Sequence, residues 1–228
     1  MGQFQRSDLI LKNPTFKEKM VCVVGVGGVG ASCVESLVRT GIHHLVIVDY
    51  DKVELSNLNR QIQANHQTLG MDKTTALKEK MLAINPAVEI IEIKAFLDSS
   101  NFHLLLDYPI DYVVDAIDSI DAKVNLIEFC VKNKLPILSS CGMGNRVDPT
   151  QIMVTRLDKT YNDPLAKSLR IKCRLKQCDK IKVVFSKELP QKRDKPVASL
   201  SFVVNVAGHV LASEVIKDLG AYDETSSI

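Results

Sequence analysis

The stretch VCVVGVGGVG, residues 21–30, decides the fold of this chain. Its apolar run leads directly into Gly25, Gly27 and Gly30, which have the spacing G-x-G-x-x-G, and Gly28 lies within the same turn. Between a strand and a helix, such a turn lets backbone N–H groups and a helix N-terminus approach a phosphate. The turn therefore predicts a nucleotide site, but it does not distinguish NAD from ATP.

Strand and helix patterns alternate on both sides of this turn. The predicted strands are VCVVG, HLVIVD, VEIIEI, DYVVDA and LPILSSC, and helices are predicted over about residues 28–39, 72–84, 100–106 and 121–133. Apolar strands separated by helices favour a parallel sheet that is covered on both faces. We therefore expect an α/β fold, a Rossmann-like doubly wound and mostly parallel sheet, with its parallel core over about residues 20–145.

The pattern changes after Asp148. Shorter strands are predicted at QIMVTRL, IKVVFS and ASLSFV, a basic helix at about 164–175 and a final helix at about 205–219. No linker or repeat interrupts the sequence. We expect a single nucleotide-binding domain, residues 1–228, with an antiparallel extension of the sheet over about residues 146–220.

Composition excludes several classes of protein. No run of eighteen apolar residues is present, so no membrane span is predicted. The N-terminus has no apolar signal core, so we expect a cytoplasmic protein. The six cysteines form no C-x-x-C pair, which excludes a zinc site made of two such pairs. Cys141 lies near glycines at a strand end and is the candidate for a reactive thiol, although a buried, inert thiol is the commoner state.

The net charge of +2 conceals an uneven distribution. From Lys167 to Lys195 there are eleven Lys and Arg against three acids, a local balance of +8. A solvated helix and hairpin would explain this charge. A surface for a polyanion is the alternative, because clustered cations release counterions from a phosphate backbone.

A dense polar loop follows the second predicted strand. Asp49 lies nineteen residues past Gly30, close to the usual position of a ribose-binding carboxylate. The stretch DYDKVELSNLNRQ then adds six further polar residues, namely Asp51, Ser56, Asn57, Asn59, Arg60 and Gln61. Such a set with an arginine suits a triphosphate better than a dinucleotide. Ser56 and Asn57 would equally suit a capped polar loop.

Two further stretches place charges at the predicted strand ends. GMDKTTALKEK predicts Asp72 as a helix N-cap with Lys73 in the first turn, where a cation opposes the helix dipole. A bound phosphate would explain this lysine, and an exposed lysine with a small energetic penalty is the alternative. VVDAIDSID places Asp115 and Asp118 after a strand, with Asp118 positioned to hold Mg²⁺ and Asp121 as a predicted N-cap.

Together GVGGVG, DYDKVELSNLNRQ, GMDK and DAIDS resemble the ThiF/MoeB group of ATP-dependent adenylating proteins, relatives of ubiquitin-activating enzymes, over about residues 6–219. In that group a carboxylate attacks the α-phosphate of ATP and pyrophosphate leaves. The resemblance implies that Asp49 binds the ribose and that Asp118 holds Mg²⁺. It also implies a homodimer in which Arg6 enters the ATP site of the neighbouring subunit. Phosphate contacts are implied for Asn59, Arg60 and Lys73.

The complete predicted site follows from both arguments. Catalytic roles are assigned to Arg60, Lys73 and Asp118. The predicted nucleotide-binding residues are Arg6, Gly25, Gly27, Gly28, Gly30, Asp49, Asp51, Asn57, Asn59, Arg60, Gln61, Lys73 and Asp118.

The stretch GNRVDPTQIMVTRLDKTYNDPLAK resembles one branch of this group, the tRNA threonylcarbamoyladenosine dehydratases. The resemblance implies that a threonyl carboxylate on a modified adenosine of the anticodon loop is activated as an acyl-adenylate. An internal atom of the modification then attacks, AMP leaves and a ring closes. No protein nucleophile is needed, because the attacking group is already part of the substrate. The basic segment Lys167 to Lys195 would face tRNA.

Two other functions stay open from the sequence. One is adenylation of the C-terminus of a ubiquitin-like or sulfur-carrier protein, against which the lack of C-x-x-C pairs argues. The resemblance also raises a sulfur-transfer partner protein, but no cysteine follows Cys178, which makes a sulfur relay doubtful. The other is a non-enzymatic nucleotide sensor, against which Arg60, Lys73 and Asp118 argue, since binding alone seldom needs so many groups aimed at developing charge.

Overall fold

A seven-stranded sheet forms the centre of the protein. The computed structural model describes residues 2–11, 13–192 and 197–222. The strand order is β3-β2-β1-β4-β5-β7-β6; neighbours are parallel except for the antiparallel pair β6 and β7, as the predicted fold class requires. The strands are β1 (Met20–Val24), β2 (His44–Val48), β3 (Glu89–Ile93), β4 (Tyr112–Asp115), β5 (Ile137–Ser140), β6 (Ile152–Arg156) and β7 (Lys182–Ser186).

Helices cover both faces of the sheet. They are α1 (Gln5–Asp8), α2 (Gly28–Thr40), α3 (Lys73–Ile84), α4 (Ile120–Asn133), α5 (Pro164–Lys172) and α6 (Ser201–Asp218). Buried residues of α2, α3 and α6 form one core, and those of α4 and α5 form the other. Over the ranges that the structure describes, no helix is both long and apolar enough to cross a membrane.

The alternation along β1 shows why the sheet is buried on both sides. Val21 and Val23 enter the core on the α2 face, while Cys22 and Val24 enter the core on the α4 face. Successive side chains of a strand point to opposite faces, so a continuous apolar run fits a strand covered by helices twice. The parallel strands end at a common edge, and the glycine turn leaves β1 there.

The predicted strand ASLSFV is wrong. Residues 198–200 are irregular, and α6 begins at Ser201. Val203, Val204 and Ala207 recur at helical spacing and are buried. Helix α6 lies so close to α2 that a Cβ on Gly208 would meet the Val29 carbonyl oxygen at 2.3 Å. The sequence of this short apolar run is compatible with a strand or a helix, and the packing of α6 on α2 favours the helix.

Two local expectations also need correction. The N-cap of α4 is Ser119, and Asp121 lies in the first turn, where its carboxylate accepts a hydrogen bond from Lys172 Nζ at 2.6 Å. The basic segment does not form a solvated helix followed by a hairpin. It runs through α5 and a 3₁₀ turn, Lys176–Lys180, and then enters the sheet as β7 between β5 and β6. Its residues 193–195 lie outside the described residues.

Candidate active site

A cavity of about 560 Å³ lies beside the carboxyl ends of β1, β2 and β4. The structure brings ten of the predicted site residues to its wall: Gly25, Gly27, Gly28, Asp49, Asp51, Asn57, Arg60, Gln61, Lys73 and Asp118. Gly30, Asn59 and Arg6 do not line it. The carboxyl edge of a doubly wound sheet is where ligands of such folds bind.

The glycines of the turn divide into two kinds. Gly25 has a φ of +86°, and a Cβ there would lie 2.8 Å from the Ala116 carbonyl oxygen. A Cβ on Gly30 would lie 1.8 Å from the Gly25 carbonyl oxygen, so these two glycines allow the turn to close. Gly27, the N-cap residue of α2, has open space instead, with no atom nearer than 3.9 Å to its added Cβ. A phosphate can therefore approach the backbone there.

Asp49 fixes the glycine turn to the end of β2. Its Oδ2 accepts a hydrogen bond from the Val26 backbone N–H at 2.8 Å, and its Oδ1 accepts one from the Asp51 N–H at 2.9 Å. Each carboxylate oxygen accepts more than one hydrogen bond. The side chain that shapes the turn thus retains the capacity to accept ribose hydroxyl groups.

Lys73 is buried, 7% exposed, at the first position of α3. Its Nζ donates to Asp51 Oδ2 at 2.6 Å, so a carboxylate of the chain itself lies beside this cation. Asp72 holds the predicted N-cap position but makes no capping hydrogen bond with its side chain. It accepts instead from Lys94 and Lys52, which lower the pKa of its carboxyl group. The cation at this helix start is therefore held by an ion pair rather than left exposed.

Arg60 is held at the cavity by its own loop. Its Nη1 donates to the Ser56 carbonyl oxygen at 2.8 Å and to Asn59 Oδ1 at 2.9 Å. Asn59 in turn donates from Nδ2 to the Ser199 carbonyl oxygen at 3.1 Å. Asn59 therefore supports Arg60 and the chain near Ser199 and does not reach the cavity wall.

Asn57 and Gln61 line the cavity but also hold the loop. Asn57 Oδ1 accepts a hydrogen bond from the Glu54 N–H at 3.1 Å, as the polar-loop alternative predicts. Gln61 is buried and accepts a long hydrogen bond, 3.4 Å, from Gln63 Nε2, which also donates to the Val26 carbonyl oxygen at 2.7 Å. Asn57 therefore holds its own loop, and Gln61 is linked to the glycine turn through Gln63.

The cavity wall carries a concentration of negative charge. The carboxylates of Asp51, Asp118 and Asp49, together with partial burial, raise the pKa of Tyr50, with Asp51 contributing most and Lys73 opposing them. Among the residues that the structure describes, no group of three or more His, Cys, Asp or Glu is arranged to hold a metal. The exposed Asp118 suits a magnesium ion that takes its other ligands from phosphates and water.

A fully buried ion pair supports the loop that carries Asp118. Asp115 Oδ2 accepts from Lys123 Nζ at 2.8 Å and from Ser139 Oγ at 2.7 Å. Its Oδ1 accepts from the Ile117 N–H at 3.1 Å. Both charged side chains have no exposed surface. Sequence reasoning placed Asp115 at the strand end but missed Lys123, whose signal is a cation on the buried face of an apolar helix.

Comparison with known proteins identifies the family of this chain. The ThiF family profile matches residues 13–228. The chain belongs to the ThiF family. It is 36% identical over 241 residues to a tRNA threonylcarbamoyladenosine dehydratase of Bacillus subtilis (strain 168), covering 96% of this chain and 95% of the relative.

Solved structures agree with the ThiF assignment. The Escherichia coli tRNA N6-threonylcarbamoyladenosine dehydratase, TcdA, in complex with AMP superimposes with a TM-score of 0.90 at 33% identity, covering 95% of this chain and 93% of that one. The same protein in complex with ATP gives a TM-score of 0.90 at 32% identity, with coverages of 99% and 96%. The predicted resemblance to a ThiF-like adenylating protein is confirmed.

Sequence reasoning missed two walls of the cavity in this ThiF-family chain. After β3, Phe96 meets Tyr50 edge-to-face with ring centroids 5.1 Å apart, and both rings line the cavity. A second part of the wall is formed by Gly144, Val197 and Ser199. The position of Phe96 was predictable from the sequence, because β3 ends at the same edge of the sheet as β1 and β2. The second part of the wall arises where the chain returns before α6.

Two other predicted residues lie apart from the cavity. Cys141 is 5% exposed, and burial raises the pKa of its thiol, which favours the protonated form over the reactive thiolate. Arg6 is exposed in α1. A contribution of Arg6 to the site of a second subunit stays a prediction.

Proposed function

We propose that this chain is an ATP-dependent tRNA threonylcarbamoyladenosine dehydratase. The observation that carries the proposal is the cavity at the glycine turn, in which Arg60, Lys73 and Asp118 converge. Its support is the end-to-end similarity to a dehydratase of this name in Bacillus subtilis and to TcdA of Escherichia coli in complex with ATP.

The proposed reaction has two steps. The threonyl carboxylate of the modified adenosine attacks the α-phosphate of ATP, pyrophosphate leaves, and an acyl-adenylate forms. A nucleophilic atom of the same modification then attacks the activated carbonyl carbon, a ring closes and AMP leaves. The modification thereby loses the elements of water, whose oxygen departs with AMP. The reacting groups share one nucleotide, so the protein contributes chiefly positioning and charge stabilisation.

The chain's own groups fit a triphosphate. The backbone at Gly27 and the N-terminus of α2 would accept a phosphate, and Asp49 would accept the ribose hydroxyl groups. Arg60 and Lys73 would stabilise charge on the phosphates, with ATP competing against Asp51 for Lys73 Nζ. Asp118 would hold Mg²⁺, which supplies Lewis-acid neutralisation of the phosphate oxygens.

We place the tRNA surface on the basic segment, but fewer of its cations are available to tRNA than the charge count suggests. Arg170 donates to the Thr160 carbonyl oxygen and Lys182 to Glu214, so these two cations serve the protein itself. The exposed cations among the described residues of the segment are Lys167, Lys172, Arg174, Lys180, Lys187 and Lys192. Since Lys172 pairs with Asp121, close in sequence to Ser119 on the cavity wall, this surface begins near the cavity mouth.

We further propose a cytoplasmic homodimer. Arg6 is exposed in α1 and does not line the cavity of its own chain, as a residue that enters the partner's site would require. Sedimentation of the purified protein should show a dimer. Arg6→Ala should weaken ATP binding while leaving that dimer intact. A monomer with full activity would exclude this role.

The decisive experiment compares two tRNA preparations. ATP conversion to AMP and pyrophosphate is measured with tRNA that bears or lacks the threonylcarbamoyl group, and the product nucleoside is identified by mass spectrometry. We expect turnover only with the modified tRNA and a product lighter by one water. Equal turnover with both preparations would refute the proposal. Exchange of pyrophosphate that requires a ubiquitin-like protein and no tRNA would indicate the alternative adenylation reaction.

A further inference from the structure

A second buried ion pair lies outside the nucleotide site, at Arg146 and Asp163. The two side chains are 1% and 0% exposed, and Arg146 Nη2 lies 3.0 Å from Asp163 Oδ2. They stand near the two ends of the stretch that resembles the dehydratase branch, residues 144–167. Neither residue lines the cavity.

Arg146 joins three backbone segments. Its Nε donates to the Gly142 carbonyl oxygen at 2.8 Å, in the loop after β5. Its Nη1 donates to the carbonyl oxygens of Ser186, at 3.2 Å, and Glu188, at the end of β7. Its Nη2 also donates to the Asn162 carbonyl oxygen at 3.3 Å, just before α5. Lysine could not make this set of hydrogen bonds, because it lacks the planar guanidinium group whose three nitrogens all donate here.

Asp163 joins the loop after β5 to the start of α5. Its Oδ1 accepts from the Ala166 N–H at 2.9 Å and so caps the helix. Its Oδ2 accepts from the Gly142 N–H at 3.1 Å as well as from Arg146. One carboxylate therefore sets the position of the basic helix relative to the loop after β5.

The loop after β5 continues directly into the cavity wall. Gly144 lines the cavity, and a Cβ there would meet Val197 Cγ1 at 2.2 Å. The next residue, Asn145, exchanges two hydrogen bonds of 2.8 Å with Ala198, between Val197 and Ser199 on the same wall. A continuous set of hydrogen bonds thus runs from the N-terminus of α5 to the cavity.

We propose that Arg146 and Asp163 are positioning residues that hold the basic helix α5 in a fixed place relative to the nucleotide cavity, so that tRNA bound along α5 presents its carboxylate to ATP. The inference rests on the proposed function. Buried ion pairs often contribute little net stability compared with apolar replacements, so geometry is the better reason for this one. A carboxylate must come within about 3–3.5 Å of the atom it attacks, which makes small displacements of a bound tRNA costly.

The test removes both buried charges together. Arg146→Met with Asp163→Asn leaves an amide oxygen for the Ala166 N–H but abolishes the ion pair. Lys123→Met with Asp115→Asn is the matched variant, because it neutralises an equally buried pair beneath the Asp118 loop. Melting temperature, ATP affinity, KM for modified tRNA and the salt dependence of tRNA binding are measured for both.

The two double variants should be impaired in different properties. Arg146→Met/Asp163→Asn should raise the KM for tRNA by about tenfold or more and flatten the salt dependence of tRNA binding, because α5 no longer aligns its cations with the bound strand. Its ATP affinity should stay within about twofold of wild type, because neither side chain lines the cavity and the proposed ATP-binding residues Arg60 and Lys73 take their hydrogen bonds elsewhere. Lys123→Met/Asp115→Asn should instead weaken ATP use and leave the salt dependence of tRNA binding unchanged.

Several results would overturn the proposal. An unchanged KM for tRNA in a folded Arg146→Met/Asp163→Asn variant would do so, as would a parallel loss of ATP and tRNA binding. If this variant does not fold, Arg146→Lys keeps the charge without the fork, and a wild-type KM for tRNA in that variant contradicts the positioning role. Failure of the proposed function is distinguishable, because the wild-type chain itself would then not consume ATP with modified tRNA.

Discussion

The parallel half of the sheet, β1 to β5, and the C-terminal third, from the loop after β5 to α6, contribute to the same cavity in different ways. In the parallel half, polar side chains project from the strand ends into the cavity, among them Asp49, Arg60 and Asp118. In the C-terminal third, Arg146 and Asp163 are buried and bond to Gly142, in the loop that carries Gly144 of the cavity wall. Under the proposed function, the first region would carry the chemistry and the second would set where the substrate is placed.

Each region contains a fully buried ion pair, and this makes the comparison testable. Asp115 and Lys123 support the loop of Asp118, while Arg146 and Asp163 support the loop of Gly144 and the start of α5. Because the two pairs are equally buried, removing either should lower the free energy of unfolding by a similar amount. Because they support different loops, the two losses should affect ATP use and tRNA binding differently.

The largest expected effect is the loss of one partner from either pair. Lys123→Met leaves the Asp115 carboxylate buried without its cation, and Arg146→Met does the same to Asp163. Each should lower the free energy of unfolding by about 3–5 kcal/mol, measured by urea denaturation. The double neutral variants should recover part of this loss. Wild-type stability in either single variant would show that the pair is not buried as described.

The next largest effect concerns the chemistry of the parallel half. Arg60→Ala should lower kcat for ATP consumption by about 10²–10³-fold, the usual cost of removing one preorganised group from a transition-state charge. The fold should persist, because Arg60 is partly exposed and its side chain bonds, within the part of the chain that the structure describes, to its own loop. Arg39→Ala, on the surface of α2, serves as the control. Unchanged turnover in Arg60→Ala would favour a nucleotide sensor.

The parallel half was largely predictable from sequence. The apolar strands, the glycine turn and the acids at strand ends follow from rules of local pattern and from the common edge of parallel strands. Asp49, Asp118 and Lys73 therefore lie where they were expected. Asn59 is in the predicted polar loop and has a phosphate contact implied by the resemblance, but its side-chain amide is observed to donate to Ser199, which is distant in sequence.

The C-terminal third was less predictable because its structure depends on distant contacts. The stretch ASLSFV has the composition of a strand, and only close packing of α6 on α2 makes its second half helical. Arg146 and Asp163 look like surface residues in sequence, since Arg and Asp are seldom fully buried unless paired. Their pairing across the loop after β5 requires the fold to be known.

A smaller effect is expected at the exposed cations of α5 and of the residues just after it. Lys167→Ala and Arg174→Ala should each weaken tRNA binding a few-fold and reduce the slope of log affinity against log salt by about 1, because each exposed cation would neutralise one phosphate. Arg170→Ala is the matched substitution, since Arg170 bonds to the Thr160 carbonyl oxygen. It should lower stability and leave the salt slope unchanged. Equal slopes for all three variants and wild type would place tRNA elsewhere.

The smallest effect is expected at Cys141, beside the loop that joins the two regions. Burial raises the pKa of this thiol, so at pH 8 it remains protonated and should react slowly with iodoacetamide in the folded protein and rapidly in urea. Cys141→Ala should keep kcat within about twofold of wild type, because intramolecular attack within the substrate needs no enzyme thiol. Rapid labelling with loss of activity would show that Cys141 acts as a nucleophile. Slow labelling with full activity would indicate that the protein contributes to the reaction by stabilising charge on ATP and by positioning the substrate, and not by a thiol nucleophile.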